Sequence, residues 1–134
     1  CVDARCVAIT PGLAACGAQV VHFDFDRADL SAADRATLAR SARCLEALAP
    51  PRVVIDGNCD ERGTAQYNVA LGFRRAAVVA KYLSDLGVPA TRLEELSHGK
   101  EVPLCTESTE ACWAMNRRSA ITPDGTVAAA AARH

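Results

Sequence analysis

Apolar residues change their spacing several times along the chain, and each change marks a predicted element of secondary structure. Residues 19–25 alternate between apolar and polar side chains, as in a strand with one buried face. The next apolar residues recur at helical spacing: Leu38, Ala42, Leu45 and Leu48. Ser31 precedes them as a helix cap with Asp34 in the first turn, and Pro50 follows them. This part of the sequence therefore predicts a strand and then a helix that ends near residue 49.

A second strand and helix follow, with a polar loop between them. Residues 52–58 contain a short apolar run that is typical of a buried strand, and residues 66–86 repeat apolar side chains at helical spacing. Gly87 follows as a left-handed cap. Two more strands are predicted near residues 94–97 and 116–122. The order strand, helix, strand, helix, strand, strand with parallel crossovers predicts a two-layer α/β (α+β) sandwich.

Asp60, Asn68 and Arg75 form a candidate binding site in the second strand–helix unit. Asp60 follows the carboxyl end of the strand, which is where open sheets covered by helices bind ligands. Asn68 and Arg75 are separated by nearly two helical turns, so they lie close to one stripe. An aspartate beside an arginine matches a zwitterion, because one binds an ammonium and the other a carboxylate. The alternative is that Asp60 and Arg75 simply form an ion pair with each other.

Four sequence motifs occur in order around this candidate site. They are HFDFD at 22–26, DGNCDERGT at 56–64 with YN, LG and RRA in the helix behind it, SHGKEVP at 97–103 and NRRSA at 116–120. Together they resemble the OmpA-like peptidoglycan-binding domains, and most of all those of the peptidoglycan-associated lipoproteins of Tol–Pal systems. The resemblance covers about residues 20–122. The sequence departs from that pattern at Cys59, where the family commonly has a histidine or threonine.

The resemblance implies a βαβαββ domain with a mixed four-stranded sheet in the order 1-4-2-3, whose last strand is antiparallel. It also implies a binding module rather than an enzyme, with no cofactor and no metal. The ligand would be the peptide stem of peptidoglycan, held through its diamino acid meso-diaminopimelate. The residues at the family's binding positions are Asp60, Arg75, Asn68, Phe25, Asp26, Leu71 and Arg118. By position, Asp60 would take the ammonium and Arg75 the carboxylate, with Arg118 supporting the carboxylate side.

The resemblance implies a location and partners as well. A domain of this kind would link the outer membrane to the cell wall and would engage Tol proteins during cell division. Cys1 would carry a lipid and anchor the chain at the periplasmic face of the outer membrane, or it would be an ordinary disulfide partner. We expect residues 1–19 to be a tether, residues 20–123 the binding domain and residues 124–134 a flexible tail.

Composition argues against several other functions. The chain has 134 residues and a formal net charge of -1, and 4% of its residues are aromatic, so neither charge nor base stacking favours nucleic acid. No apolar run approaches the roughly 20 residues that span a membrane, and any signal peptide is expected to be removed. The sequence has no recognisable Ser–His–Asp or Cys–His arrangement, which argues against an enzyme.

The 7 cysteines indicate an oxidising compartment, and none of them forms a CxxC pair of the kind that binds zinc. The expected disulfides are Cys105–Cys112, which brackets a polar insert, Cys44–Cys59 and Cys6–Cys16. Cys44 and Cys59 could equally be buried thiols.

Two other functions remain open at this point. The chain could be the peptidoglycan anchor of a motor or secretion assembly, which a transmembrane segment upstream of residue 1 would favour over a lipidated cysteine. It could also be an envelope thiol-disulfide protein, which would need reactive rather than inert thiols.

Overall fold

The computed structural model describes residues 18–124, which form one sheet and three helices. The strands are β1 (Gln19–His22), β2 (Arg52–Asn58), β3 (Leu93–Gly99) and β4 (Arg118–Asp124), and the helices are α1 (Ala32–Leu48), α2 (Ala65–Asp85) and α3 (Glu110–Asn116). A 3₁₀ turn, Ala90–Arg92, precedes β3. No helix within residues 18–124 is both long enough and apolar enough to cross a membrane. The expected lipid on Cys1, the Cys6–Cys16 disulfide and most of the tether and tail lie outside the described residues.

The four strands form a single mixed sheet in the order β1-β4-β2-β3. β2 and β3 are parallel, as a crossover through α2 requires, whereas β4 is antiparallel to both β1 and β2. The expected α/β fold, strand order and antiparallel last strand are therefore confirmed.

α1 and α2 bury one face of the sheet. The core combines side chains from both helices and three strands, among them Val21, Leu38, Ala42, Leu45, Val53, Ile55, Val79, Leu83 and Ile121. α1 begins as predicted, because the Ser31 hydroxyl accepts from the N–H of Asp34 at 3.0 Å and the Asp34 carboxylate accepts from the N–H of Ser31 at 3.2 Å. Of the predicted apolar stripe, Leu48 alone is half-buried rather than buried.

The insert at 105–112 contains the start of a helix that the sequence does not predict. Thr109 caps α3, because its hydroxyl accepts a hydrogen bond from the N–H of Cys112 at 3.2 Å. The predicted Cys105–Cys112 disulfide is present, with the two Cα atoms 5.3 Å apart, and it closes the segment that leads into α3. A helix of 7 residues is too short for an apolar period to stand out in the sequence.

β1 and β4 differ in extent from the prediction. β1 ends at His22 rather than near residue 25, since the chain turns away from the sheet and reaches a left-handed conformation at Asp26, with φ of 58°. β4 begins at Arg118 rather than at Asn116, because Asn116 is still the last residue of α3. It then continues through Asp124, two residues beyond the predicted end.

Gly57 and Gly72 let α2 lie directly on β2. A Cβ atom added to Gly57 would overlap the carbonyl oxygen of Gly72, so the two elements touch backbone to backbone. Beside this contact, the hydroxyl of Ser97 on β3 donates to the carbonyl of Val69 at 2.7 Å. The first turns of α2 are thereby fixed over the carboxyl ends of β2 and β3.

Candidate functional site

Asp60 lies just beyond β2, where the chain leaves the sheet. The N–H of Cys59 still donates to the carbonyl of Gly99 at 2.8 Å, whereas the Asp60 side chain is 5% exposed and turns to other partners. One carboxylate oxygen accepts from the backbone N–H of Arg62 at 3.0 Å, and the other from Nη2 of Arg62 at 2.8 Å. Nη1 of Arg117 lies 3.5 Å from that second oxygen.

These contacts keep Asp60 ionised. Burial alone would raise the pKa of its carboxyl group, because a buried charge loses its hydration. The hydrogen bonds and positive charge of Arg62, with a further bond from Arg117, outweigh burial and hold the pKa below the usual value of an aspartate. Asp60 is therefore a buried carboxylate that is charged at neutral pH.

Arg75 is fully buried in the middle of α2. Its Nε donates to the carbonyl of Arg27 at 2.8 Å, Nη1 to that of Asn58 at 2.9 Å, and Nη2 to that of Asp24 at 3.0 Å. These carbonyls belong to the end of β2 and to the turn after β1, so Arg75 joins the two segments. Burial lowers the pKa of Arg75, and neighbouring acidic groups act in the opposite direction. A guanidinium stays protonated throughout the neutral range.

Asp60 and Arg75 do not form the ion pair with each other that the alternative interpretation predicts, because each binds other groups. Asp60 pairs with Arg62 and Arg117, and Arg75 binds backbone carbonyls. Both nevertheless face one small pocket at the carboxyl end of β2. Its lining residues are Phe25, Asp26, Cys59, Asp60, Arg62, Asn68, Leu71 and Arg75. The structure thus brings together every predicted site residue except Arg118.

Arg118 turns away from the pocket and is held by backbone carbonyls, of which that of Val102 is 3.0 Å from its Nη2. The role that the resemblance assigns to Arg118 stays a prediction, and the arginine that lies beside Asp60 is its neighbour Arg117. Arg117 contacts Asp60 and also binds the carboxylate of Glu110 at 2.7 Å. Adjacent residues of an extended chain point to opposite sides, and the end of α3 determines which of the two arginines contacts Asp60. The NRR motif indicates that an arginine contributes to the site, but it does not indicate which of its two arginines contacts Asp60.

Arg62 lines the pocket, and the sequence does not predict it as a site residue. Its guanidinium lies between the rings of Phe25 and Trp113, with the Cζ atom 3.9 Å from each ring centroid, while it also binds Asp60. Asn68 supports it from behind, since the Asn68 amide donates to the Arg62 carbonyl at 2.8 Å. The DERGT motif contains Arg62, but its direction depends on Trp113, which belongs to the unpredicted helix α3.

A family model described as the OmpA family matches residues 22–117. This span runs from the end of β1 to the residue before β4 and contains every residue that lines the pocket. The chain belongs to the OmpA family.

Relatives of this OmpA domain carry one recurring name. The peptidoglycan-associated lipoprotein of Mesorhizobium japonicum is 41% identical over 105 residues, which are 78% of this chain and 62% of that protein. The protein of the same name from Pseudomonas putida is 45% identical over 97 residues, which are 72% of this chain and 58% of that protein. The match therefore spans about three-fifths of the length of these curated relatives.

Solved structures give the same picture of the fold. The crystal structure of the peptidoglycan-associated lipoprotein from Burkholderia pseudomallei is similar with a TM-score of 0.75 at 41% identity, over 78% of this chain and 88% of that one. The cell wall anchor of the T6SS from Pseudomonas aeruginosa is similar with a TM-score of 0.70 at 25% identity, over 81% of this chain and 80% of that one.

The OmpA domain keeps Cys59 as a free thiol beneath the pocket, so the predicted Cys44–Cys59 disulfide is wrong. Cys44 is itself disulfide-bonded, while the Sγ atom of Cys59 donates to the carbonyl of Asn68 at 3.2 Å. Burial raises the pKa of the Cys59 thiol, with the charge of Arg75 acting in the opposite direction. Within residues 18–124, no three His, Cys, Asp or Glu side chains are placed to hold a metal ion.

Replacing Asp60 by asparagine is expected to destabilise the OmpA domain at neutral pH but not in acid. Because the pKa of Asp60 is depressed in the folded protein, its charge stabilises the fold above the unfolded pKa of about 3.9, and this contribution disappears as the pH falls through the folded pKa. We expect a loss of about 1.5–3 kcal/mol at neutral pH, the usual range for hydrogen bonds to a charged group.

Urea unfolding of wild type and Asp60→Asn, repeated from neutral pH down to about pH 2, measures this difference. It should shrink only below the ordinary aspartate pKa. A difference that stays constant across the whole range would show that the charge of Asp60 does not contribute to stability.

Proposed function

We propose that this domain binds the peptide stem of peptidoglycan through meso-diaminopimelate and catalyses no reaction. The observation that carries the proposal is the pocket at the end of β2, where the ionised carboxylate of Asp60 and the guanidinium of Arg75 line one recess with the amide of Asn68. Few ligands need a buried anion and a buried cation in the same small space.

The far end of diaminopimelate fits these groups. Its ammonium and carboxylate sit on one carbon, so the ammonium would bind Asp60 while the carboxylate binds Arg75. Arg75 has five N–H donors, and its three bonds to carbonyls leave capacity for a ligand on the pocket side. Phe25, Asp26 and Leu71 would line the recess around the ligand. Arg117, rather than Arg118, is the second arginine of the proposed site because it contacts Asp60.

A binding role is favoured over catalysis by the state of the reactive groups. Burial raises the pKa of the Cys59 thiol, which disfavours the thiolate that a nucleophile needs. The carboxylate of Asp60 has a lowered pKa, the opposite of what a general acid requires.

The relatives supply the wider part of the proposal. Proteins named peptidoglycan-associated lipoprotein are about 40% identical to this chain, whereas the T6SS cell wall anchor is 25% identical. We therefore favour a lipoprotein that links the outer membrane to the cell wall, with a lipid on Cys1, a periplasmic position and Tol proteins as partners, over the anchor of a motor or secretion assembly.

Co-sedimentation with insoluble peptidoglycan tests the site. Wild type should pellet with the wall. Asp60→Asn should bind at least about tenfold more weakly, because the ligand's ammonium loses its charged partner. Asp85→Asn is the matched control: it removes an exposed carboxylate at the far end of α2 that pairs with Lys81. All three proteins are first checked for folding by circular dichroism.

Peptidoglycan whose stems contain lysine in place of diaminopimelate sharpens this test. Lysine retains the ammonium but lacks the second carboxylate, so Arg75 gains no partner and binding should weaken. If wild type fails to pellet with diaminopimelate-containing wall, the proposed function is wrong. If wild type and a folded Asp60→Asn pellet equally, the wall is bound elsewhere on the domain.

A further inference from the structure

We propose that the side chain of Arg62 occupies the position in the pocket that the ligand's ammonium would take, and that it must be displaced when the ligand binds. This inference rests on the proposed function, because it concerns the same pocket. It assigns to Arg62 the role of an internal competitor that sets the affinity of the site.

Arg62 already satisfies the group to which the ligand's ammonium would bind. One oxygen of Asp60 accepts from the backbone N–H of Arg62 at 3.0 Å and from Nε at 3.3 Å, and the other accepts from Nη2 at 2.8 Å. The charged donors Nε and Nη2 thus approach both oxygens in the forked geometry of an arginine–carboxylate pair. A ligand ammonium gains Asp60 only by breaking these side-chain bonds.

Two aromatic rings complete the position that Arg62 fills. The guanidinium lies 3.9 Å from the centroids of both Phe25 and Trp113. A position that contacts a carboxylate and two ring faces is a general cation site, because the faces of aromatic rings attract positive charge. An ammonium can therefore take over the place of the guanidinium.

The backbone of Arg62 is fixed, so displacement needs only its side chain to move. Asn68 holds the carbonyl of Arg62 at 2.8 Å, and its N–H is bound by Asp60. On the next residue, Nζ of Lys100 donates to the carbonyl of Gly63 at 2.7 Å. The side chain of Arg62 is 32% exposed, against 5% for Asp60, so it borders solvent and can swing outward while the loop stays in place.

Such a competitor explains how a pocket with one buried carboxylate can remain closed to simple cations. A ligand can bind only to molecules in which the Arg62 side chain has left Asp60. Because these molecules are a minority before binding, the affinity of every ligand is reduced by the same factor. A plain amine exchanges one cation for another and gains little. A zwitterion exchanges the cation and also gains Arg75, so it alone binds at ordinary concentrations.

Calorimetric titration of the domain with free meso-diaminopimelate at neutral pH tests the inference. Arg62→Ala should bind about tenfold more tightly than wild type, because no charged bond must be broken first. Arg62→Gln, which keeps bulk but not charge, should change affinity in the same direction. Arg74→Ala is the matched control: it removes an exposed arginine of α2 whose Cζ atom lies 5.8 Å from the ring centroid of Tyr67, and the affinity of this variant should stay within about twofold of wild type.

Trp113 provides an independent readout, because it is the single tryptophan of the chain. Ligand binding should change its fluorescence in wild type as the guanidinium leaves the indole face. In Arg62→Ala the size of the change should differ from that in wild type, because the ligand's ammonium then enters an empty place on the indole face and displaces no guanidinium.

The outcomes separate the two proposals. If the Arg62 variants bind more weakly than wild type or equally well, Arg62 is a ligand contact or a bystander and the inference is overturned. Binding by wild type with no response from Trp113 also contradicts it. If neither wild type nor the variants bind diaminopimelate, while all are folded, the proposed function itself fails along with the inference.

Discussion

Arg75→Ala is expected to lower the free energy of unfolding by about 3–5 kcal/mol, because a buried guanidinium that binds several backbone carbonyls is removed and each buried acceptor left unsatisfied costs about 1–3 kcal/mol. The guanidinium of Arg75 is fully buried and donates to the backbone carbonyls of Asp24, Arg27 and Asn58, of which that of Asp24 also accepts from the N–H of Arg27 at 3.1 Å. Alanine takes the charged donor away from these carbonyls and removes the contact with the ring of Phe23, whose centroid is 5.2 Å from Cζ of Arg75.

Urea denaturation followed by circular dichroism measures the effect. Arg74→Ala is the control, since Arg74 is the next residue on α2 but points to solvent, and it should cost less than about 1 kcal/mol. Arg75→Lys should fall between the two because one ammonium cannot reach all three carbonyls. If the free energy of unfolding of Arg75→Ala lies within about 1 kcal/mol of the wild-type value, the carbonyls find other donors, and Arg75 is not needed to join the two segments.

This expectation bears on how the pocket is tested. A loss of peptidoglycan binding in Arg75→Ala would combine a lost ligand contact with a weakened fold. Asp60→Asn is the cleaner variant, because the remaining contacts of its loop, among them Asn68 to the Arg62 carbonyl and Lys100 to the Gly63 carbonyl, do not involve the carboxylate.

Gly57→Ala is expected to cost about 3 kcal/mol or more, beyond the usual range of overpacking substitutions. The added Cβ would overlap the carbonyl oxygen of Gly72, which belongs to the backbone of α2 and cannot rotate away. Relief requires α2 to move off β2, and this movement would also open the pocket between them.

Gly72→Ala provides the comparison. Its added Cβ meets first the hydroxyl of Ser97, a side chain that can rotate at the loss of its bond to the Val69 carbonyl. We therefore expect a smaller loss of stability than for Gly57→Ala, measured by urea unfolding of the two variants side by side. The reverse order would show that the close contact of α2 with β2 is not the tightest point of the packing.

Much of the fold could be predicted because its elements have long, regular patterns. The apolar stripes of α1 and α2 and the run in β2 are evident in the sequence, and the family resemblance added the strand order, which periodicity alone does not determine. α3 is not predicted because it is short, and because its start is fixed by Thr109 and by a disulfide rather than by an apolar face.

The errors in the site follow from that missing helix. α3 supplies Trp113 and Glu110, and these two side chains hold Arg62 and Arg117 in the positions where they meet Asp60. Without the helix, no feature of the sequence distinguishes Arg117 from Arg118 or turns Arg62 inward. The Cys44–Cys59 pairing failed for a different reason: the direction of a side chain at the end of β2 depends on its neighbours, and Cys59 faces the Asn68 carbonyl.

The direction of β1 has a mechanical consequence. β1 runs toward the pocket, with Gln19 paired to Ile121 at the far end of the ladder and His22 paired to Arg118 at the near end. A pulling force that enters at Gln19 and is resisted by a ligand in the pocket acts along the strand axis. It loads the pairs between β1 and β4 in shear, all at once, instead of peeling them apart one after another. The bond from Arg75 to the Asp24 carbonyl secures the chain just beyond that ladder, so the segment is also held on the side of the pocket.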